Sequence, residues 1–239
     1  MLRLLLGIAL APSAVVLVAA SLRVLWSLSG TSPSVYPFLS GFALPVLSRL
    51  FLDLRSSWPG RMITRFYVLT HELTHALATW MEGGKVFGIK AGADGGHVDV
   101  SHASAFASLA PYCVPLLTVC VVLGYRGWVW MRGGSGGEAV FLFLMGVTLS
   151  FHLVATFECL WSSRQPDLDA AGGLVFSLAV IALANGLVFL VVLKALFPKS
   201  VALVEVLVRA FDETAGFWGW LGRGARSWWS ASGASGRTP

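Results

Sequence analysis

Long apolar runs separated by short polar breaks dominate the chain. The first extends from about Leu4 to Leu22, between Arg3 and Arg23. A helix needs about 20 residues to cross a hydrocarbon core, so this run is long enough to span. It is long for the apolar core of a secretory signal, although "LVAAS" offers small residues at a cleavage position. It is read as a retained helix. Tyr36 to Phe51 is shorter and contains Pro45, which suits a kinked span or a re-entrant or interfacial segment. Further helical runs cover Arg61 to Met81, Ser104 to Leu123 (with Pro111 and Pro115), Glu138 to Trp161, and Gly172 to Phe197.

The pattern changes after the third run. In "GGKVFGIKAGADGGHVDVS", Val86, Gly88 and Lys90, then His97, Asp99 and Ser101, alternate with Phe87, Ile89, Val98 and Val100. A Gly/Asp-rich turn at Gly92–Gly96 separates the halves, and the period of two predicts a β-hairpin over residues 86–101. From Lys199 to Trp229 the chain mixes Val and Leu with charges and four tryptophans, which predicts an amphipathic helix lying in a membrane interface. Residues 230–239, "SASGASGRTP", read as disordered. The expected fold is an all-α polytopic membrane protein, with five or six transmembrane helices and a small membrane-associated β-hairpin. Its membrane domain covers residues 1–198, with a core at 61–197.

Orientation depends on residues 36–51. Counted as a span, they give six helices and put Arg3, Arg49, Arg55, Arg61, Arg126, Arg132 and Lys199 on one side. The positive-inside rule makes that side cytoplasmic and places the hairpin outside. Counted as re-entrant, they leave five spans and move the hairpin to the cytoplasmic side.

Composition strengthens the membrane reading. Of 239 residues, 56% are hydrophobic and 12% charged, with a mean hydropathy of +0.75. Soluble domains are about a quarter charged. The net charge of +5 is spread over short loops and the tail, which suits anionic lipid headgroups and gives no nucleic-acid-binding arm. Cys113, Cys120 and Cys159 sit in apolar runs, without zinc-ribbon or redox spacing, and read as small buried hydrophobes.

Within the third run, "VLTHELTHALATW" contains His71, Glu72 and His75, an H-E-x-x-H motif. Positions i and i+4 share a helix face, so both imidazoles reach one metal ion. Glu72 sits beside that face as a general base. Zinc lowers the pKa of a water it holds to about 7 and polarises a scissile carbonyl, and Glu72 can then pass the proton to the leaving amine. A charged group at the centre of a membrane helix costs about 2.5–3.5 kcal/mol or more, which makes three such residues together a functional signal. The competing reading is a self-satisfied polar cluster on an ion path.

A catalytic zinc needs a third protein ligand and an open fourth position. The chain does not continue as a metzincin motif, because Ala78 and Trp80 break that pattern. His97 and His102 lack ligand-spaced partners and read as polar hairpin residues. His152, Glu158, Asp167 and Asp169 remain. Asp167 and Asp169 lie in "QPDLDAAGG", where acids also suit a helix start after Pro166. His152 lies inside a span and is read as a ligand, a substrate-positioning donor or a packing residue.

These motifs resemble the site-2 protease family of membrane-embedded zinc metallopeptidases. The resemblance rests on the HExxH of His71, Glu72 and His75, the glycine-bearing hairpin after it, and the acidic "QPDLDAAGG" before a late span. It covers roughly Arg61 to Leu196. It implies one Zn2+ per chain, with a third ligand from an aspartate in an Asn-Pro…Leu-Asp-Gly element. Here Leu168-Asp169 matches the Leu-Asp, Ala170 replaces the glycine, and Gln165-Pro166 stands where Asn-Pro would. Asp167 is the preferred ligand, because it starts the turn after Pro166, with Asp169 the alternative. "LAPYCVPLL" occupies the place of the family's Ala-Gly-Pro element without its glycine. The departures suggest a divergent branch near the small bacterial members without a PDZ insertion, in a bacterial plasma membrane. The implied activity is endoproteolysis in or near a transmembrane segment of a membrane-protein substrate, held as a strand added to the hairpin. A membrane zinc protease with Glu158 as third ligand, or an inactive scaffold or metal-handling transporter, are the alternatives.

Overall fold

The computed structural model describes residues 1–51, 57–92, 95–134, 136–162 and 165–235. The chain opens with α1 (Leu2–Thr31), a 3-10 turn at Pro33–Val35 and α2 (Tyr36–Phe51). The motif helix α3 (Trp58–Met81) follows, then β1 (Val86–Ala91) and β2 (Gly96–Val100). After these come α4 (Ala105–Cys113), α5 (Leu116–Arg132), α6 (Glu138–Ser162) and the short α7 (Pro166–Ala171). Helices α8 (Leu174–Leu196) and α9 (Leu203–Ser235) end the described chain.

Proline acts differently at four places in this fold. Pro12, Pro45 and Pro111 are carried inside α1, α2 and α4. Pro115 does break its helix. It holds Val114 in an extended conformation, with φ −105° and ψ 110°, as the residue before a proline prefers. The α4–α5 pair consequently bends by 67°. At the other end of α5, Gly133 closes the helix in the left-handed region at φ 66°, where a side chain would be strained.

Helix α2 packs along α6, and α1 along α8. The first pair touches backbone to backbone, because a Cβ at Gly41 or Gly146 would run into the carbonyls of Phe143 or Phe38. Small residues of this kind let apolar helices approach closely where no water drives them together. Leu28, Phe38, Leu149, Phe189 and Leu193 fill the core between these pairs. A second cluster, Leu109, Tyr112, Leu168, Ala171 and Ile181, joins α4, α7 and α8. The hairpin is antiparallel, with Ile89 opposite Val98 and Lys90 opposite His97, and a bulge lies between Val86 and Gly88. The expected Gly92–Gly96 turn falls partly outside the described residues, as does Arg55.

Among the described residues, four helical stretches are long and apolar enough to cross a membrane: Leu2–Thr31, Pro33–Phe51, Glu138–Ser162 and Leu174–Leu196. The bent α4–α5 pair raises the number to five. Five is the lower of the two numbers expected, and the sixth expected span is α3. Its 24 residues span about 36 Å, but Arg61, Arg65, His71, Glu72 and His75 make it too polar to qualify on composition.

The tail also departs from expectation. Helix α9 starts at Leu203 and runs to Ser235, so residues 230–235 are helical and not disordered. Residues 236–239 lie outside the described chain. Its first turns pack on α1 and α8 through Leu203, Val206, Leu207 and Ala210, and Arg23 pairs with Glu213 at 2.9 Å.

Candidate metal centre

Helix α3 is fixed at both ends before it offers any chemistry. Ser57 caps its start by accepting from the Gly60 N–H at 3.2 Å, satisfying one of the open donors of the first turn. At its end the Gly84 N–H returns to the Thr79 carbonyl at 2.8 Å. Ser104, which caps α4, donates to Glu82 Oε2 at 2.6 Å and ties the two helix ends together.

One turn apart, the rings of His71 and His75 stand 5.0 Å from centroid to centroid at 76°. His75 Nδ1 lies 2.8 Å from the Ala107 carbonyl. A carbonyl only accepts, so Nδ1 carries a proton and Nε2 is the atom turned towards the site, as in metal-ligating histidines. His71 is held by ring contacts, with Tyr112 edge-on at 4.9 Å and Tyr67 at 5.7 Å.

Helix α7 brings in the carboxylate. Its Asp167 Oδ2 lies 3.3 Å from His75 Nε2 and 3.7 Å from His71 Nε2. Zinc bonds of about 2.0–2.1 Å in tetrahedral geometry put neighbouring ligand atoms roughly 3.3–3.4 Å apart. The two spacings therefore suit one small ion, and His71, His75 and Asp167 form a group that could hold a metal. His71 Nδ1 is buried and has no hydrogen-bond partner among the described residues, so this ring lacks the outer acceptor that ligating histidines usually have.

Pro166 starts α7 with its φ already helical, as the first helical position favours. At the far end Arg3 Nη1 donates to the Ala171 carbonyl at 2.8 Å. Between these ends the Tyr112 hydroxyl donates to Asp167 Oδ2 at 2.9 Å. Burial opposes ionisation of Asp167, but the imidazoles of His71 and His75 and the Tyr112 hydroxyl outweigh it and hold the carboxyl well below the usual carboxylate range.

The three residues border a cleft of about 890 Å³ between α3, α4, α6 and β2. Glu72 is in its wall and only 7% exposed. Val98 and Val100 of β2 also line it, as do Phe151 and Cys159 of α6. The cleft thus has a buried carboxylate, a side-chain group that could hold a metal and an extended strand within one space.

The other candidates lie elsewhere. Asp169 is exposed and outside the cleft, as expected about 200° around α7 from Asp167. Glu158 is in the cleft wall but pairs with Arg49 at 3.0 Å. Of the three readings of His152, the hydrogen-bonded packing residue fits its place behind His71, off the cleft wall, with Nε2 3.1 Å from Asn185 Oδ1. His97 pairs with Asp99 on the exposed hairpin at 2.7 Å, and His102 lies 3.2 Å from Ser101 Oγ. Cys113 and Cys159 are half-buried, while Cys120 is exposed on α5, against the expectation of burial. Tyr112 and Arg3 were not legible as site residues, because nothing in their local sequence points to Asp167.

No protein-family model matches the chain, and no curated protein or solved structure matches it significantly. The site must be read from its own chemistry.

Proposed function

We propose that this chain is an intramembrane zinc endopeptidase of the site-2 protease type, which hydrolyses peptide bonds in or near a transmembrane segment of another membrane protein. One observation carries the reading. An aspartate from a separate helix comes within 3.3 and 3.7 Å of the two motif histidines, beside a buried glutamate in the wall of a cleft.

His71, His75 and Asp167 would hold the ion. When bound, zinc supplies Lewis acidity, polarising a carbonyl and making water a stronger acid. Glu72 takes a proton from water and delivers it to the leaving amide nitrogen. A helical peptide bond is closed to attack, so the substrate segment must unwind, and β2 beside the cleft offers main-chain groups to an extended strand. Glu158 is a poorer third ligand, since Arg49 already engages its carboxylate.

In this reading the chain is a multi-pass protein of a bacterial plasma membrane. Helix α9 rests in the interface, with Trp218, Trp220 and Trp229 exposed at headgroup level.

Metal analysis of the detergent-purified protein, together with fragment mapping in membranes, tests the proposal. The wild type and Glu72→Gln should each carry one Zn2+, and His71→Ala should carry none. Membrane-protein fragments made by the wild type should be missing with Glu72→Gln. Fragment patterns that are the same in both would end the protease reading and favour a scaffold or transporter.

A further inference from the structure

We infer that Tyr112 is a positioning residue for the metal centre, which acts on bound zinc only by orienting the carboxylate of Asp167. The inference rests on the metal-site reading above and adds to it a residue outside the ligand set.

Three observations meet at this side chain. Tyr112 is fully buried, at 0% exposure, in the cluster that joins α4 to α7 and α8. Its hydroxyl donates to Asp167 Oδ2 at 2.9 Å, the same oxygen that faces the Nε2 atoms of His71 and His75. Its ring edge stands against His71, with centroids 4.9 Å apart at 84°. One side chain thus touches two of the three proposed ligands.

A carboxylate oxygen has two lone-pair directions. With Tyr112 engaging one, the other is free to point at the space between the imidazoles. Without that hydrogen bond, the Asp167 carboxylate could turn towards the open cleft it borders. Ligating side chains are commonly held this way by outer partners.

Tyr112 is itself held in place. Its carbonyl accepts from Asn185 Nδ2 at 2.7 Å, and the same amide also donates to Ile181 O at 2.9 Å. Asn185 Oδ1 faces His152 Nε2 at 3.1 Å. The half-buried Asn185 of α8 and the buried His152 of α6, neither of which reaches the cleft, therefore fix the backbone from which Tyr112 projects. Tyr112 is not in the cleft wall, so it does not touch substrate and is not a catalytic residue. A tyrosine that only filled space would tolerate the loss of its hydroxyl without any change at the metal.

The test is metal binding by the full-length protein in detergent, without any substrate. Tyr112→Phe should keep the wild-type melting profile and elution volume. Its Zn2+ affinity in chelator competition should fall about 10–100-fold, the usual effect of losing an outer partner. The visible spectrum of the Co2+-loaded protein should shift as well. Tyr112→Phe should add nothing further in an Asp167→Asn background, because the effect passes through that carboxylate. Wild-type affinity and spectrum in Tyr112→Phe, or full additivity in the double variant, would overturn the inference.

If Tyr112→Phe does not fold, 3-fluorotyrosine at position 112 provides a second route. Its fluorine resonance should move on Zn2+ addition to the otherwise wild-type chain and stay still in Asp167→Asn. A resonance indifferent to Zn2+ in the former, or equally responsive in both, rejects the proposal. Wild-type protein that binds no Zn2+ would instead remove the metal-site reading itself.

Discussion

Gly96 lies so close to Glu72 that a Cβ on it would stand 2.5 Å from Oε1 and 2.6 Å from Cγ. The start of β2 therefore rests directly on the proposed general base, and only a residue without a side chain fits. Gly96→Ala should push Glu72 aside or lift the strand. A displacement of about 1 Å can lower a rate about 100-fold, and a loss of that order is expected in cleavage kinetics with Zn2+ content unchanged. If zinc were lost together with activity, the substitution would have disturbed α3 itself.

The three acidic candidates separate in one titration series. Asp167→Asn should weaken Zn2+ binding by more than the 10–100-fold typical of an outer partner. Asp169→Asn and Glu158→Gln should remain within about twofold of the wild type in the same chelator competition. A larger effect from Glu158→Gln would move the third ligand to α6.

Arg3 reaches the site from the far end of the sequence. Its hydrogen bond to the Ala171 carbonyl anchors the end of α7, four residues beyond Asp167. Arg3→Ala should leave the fold intact and weaken Zn2+ roughly 10-fold, at the lower end of outer-partner effects. Zinc release measured with a chelating dye reads this directly, and an unchanged release rate would show that Pro166 and Tyr112 suffice to set α7.

Gly146→Leu addresses the scaffold instead of the chemistry. Its side chain would meet the Phe38 carbonyl across the α2–α6 contact. Overpacking typically destabilises by about 1–3 kcal/mol, and more where backbone must move. A lower melting temperature in detergent is expected, with aggregation, while the same change at the open Gly124 should be silent.

Much of this architecture is legible along the chain. The candidate spans announce themselves by length and apolarity, the hairpin by its period of two, and the histidine pair by its i, i+4 spacing. Those signals are local, and each lies within one element. The third ligand was narrowed only to Asp167 or Asp169, because which face of a six-residue helix turns inward is decided by its neighbours. Tyr112 gave no signal, since a tyrosine in an apolar run reads as packing until its hydroxyl is seen against Asp167. His152 stayed open between three roles for the complementary reason. A histidine inside an apolar helix suggests function, but Asn185, 33 residues away, already faces it. The extent of α9 was missed because "SASGASGRTP" has a composition typical of flexible tails, while the helix carries part of it along.

The bond between Arg3 and Ala171 joins positions 168 residues apart in sequence. A chain still being synthesised can present His71 and His75 long before the clasp that sets Asp167 has been made. Until α7 emerges and α1 folds back on it, the nascent protein holds only half a centre. In the proposed function, hydrolytic competence would then arrive last, after the helices that enclose the cleft are in place.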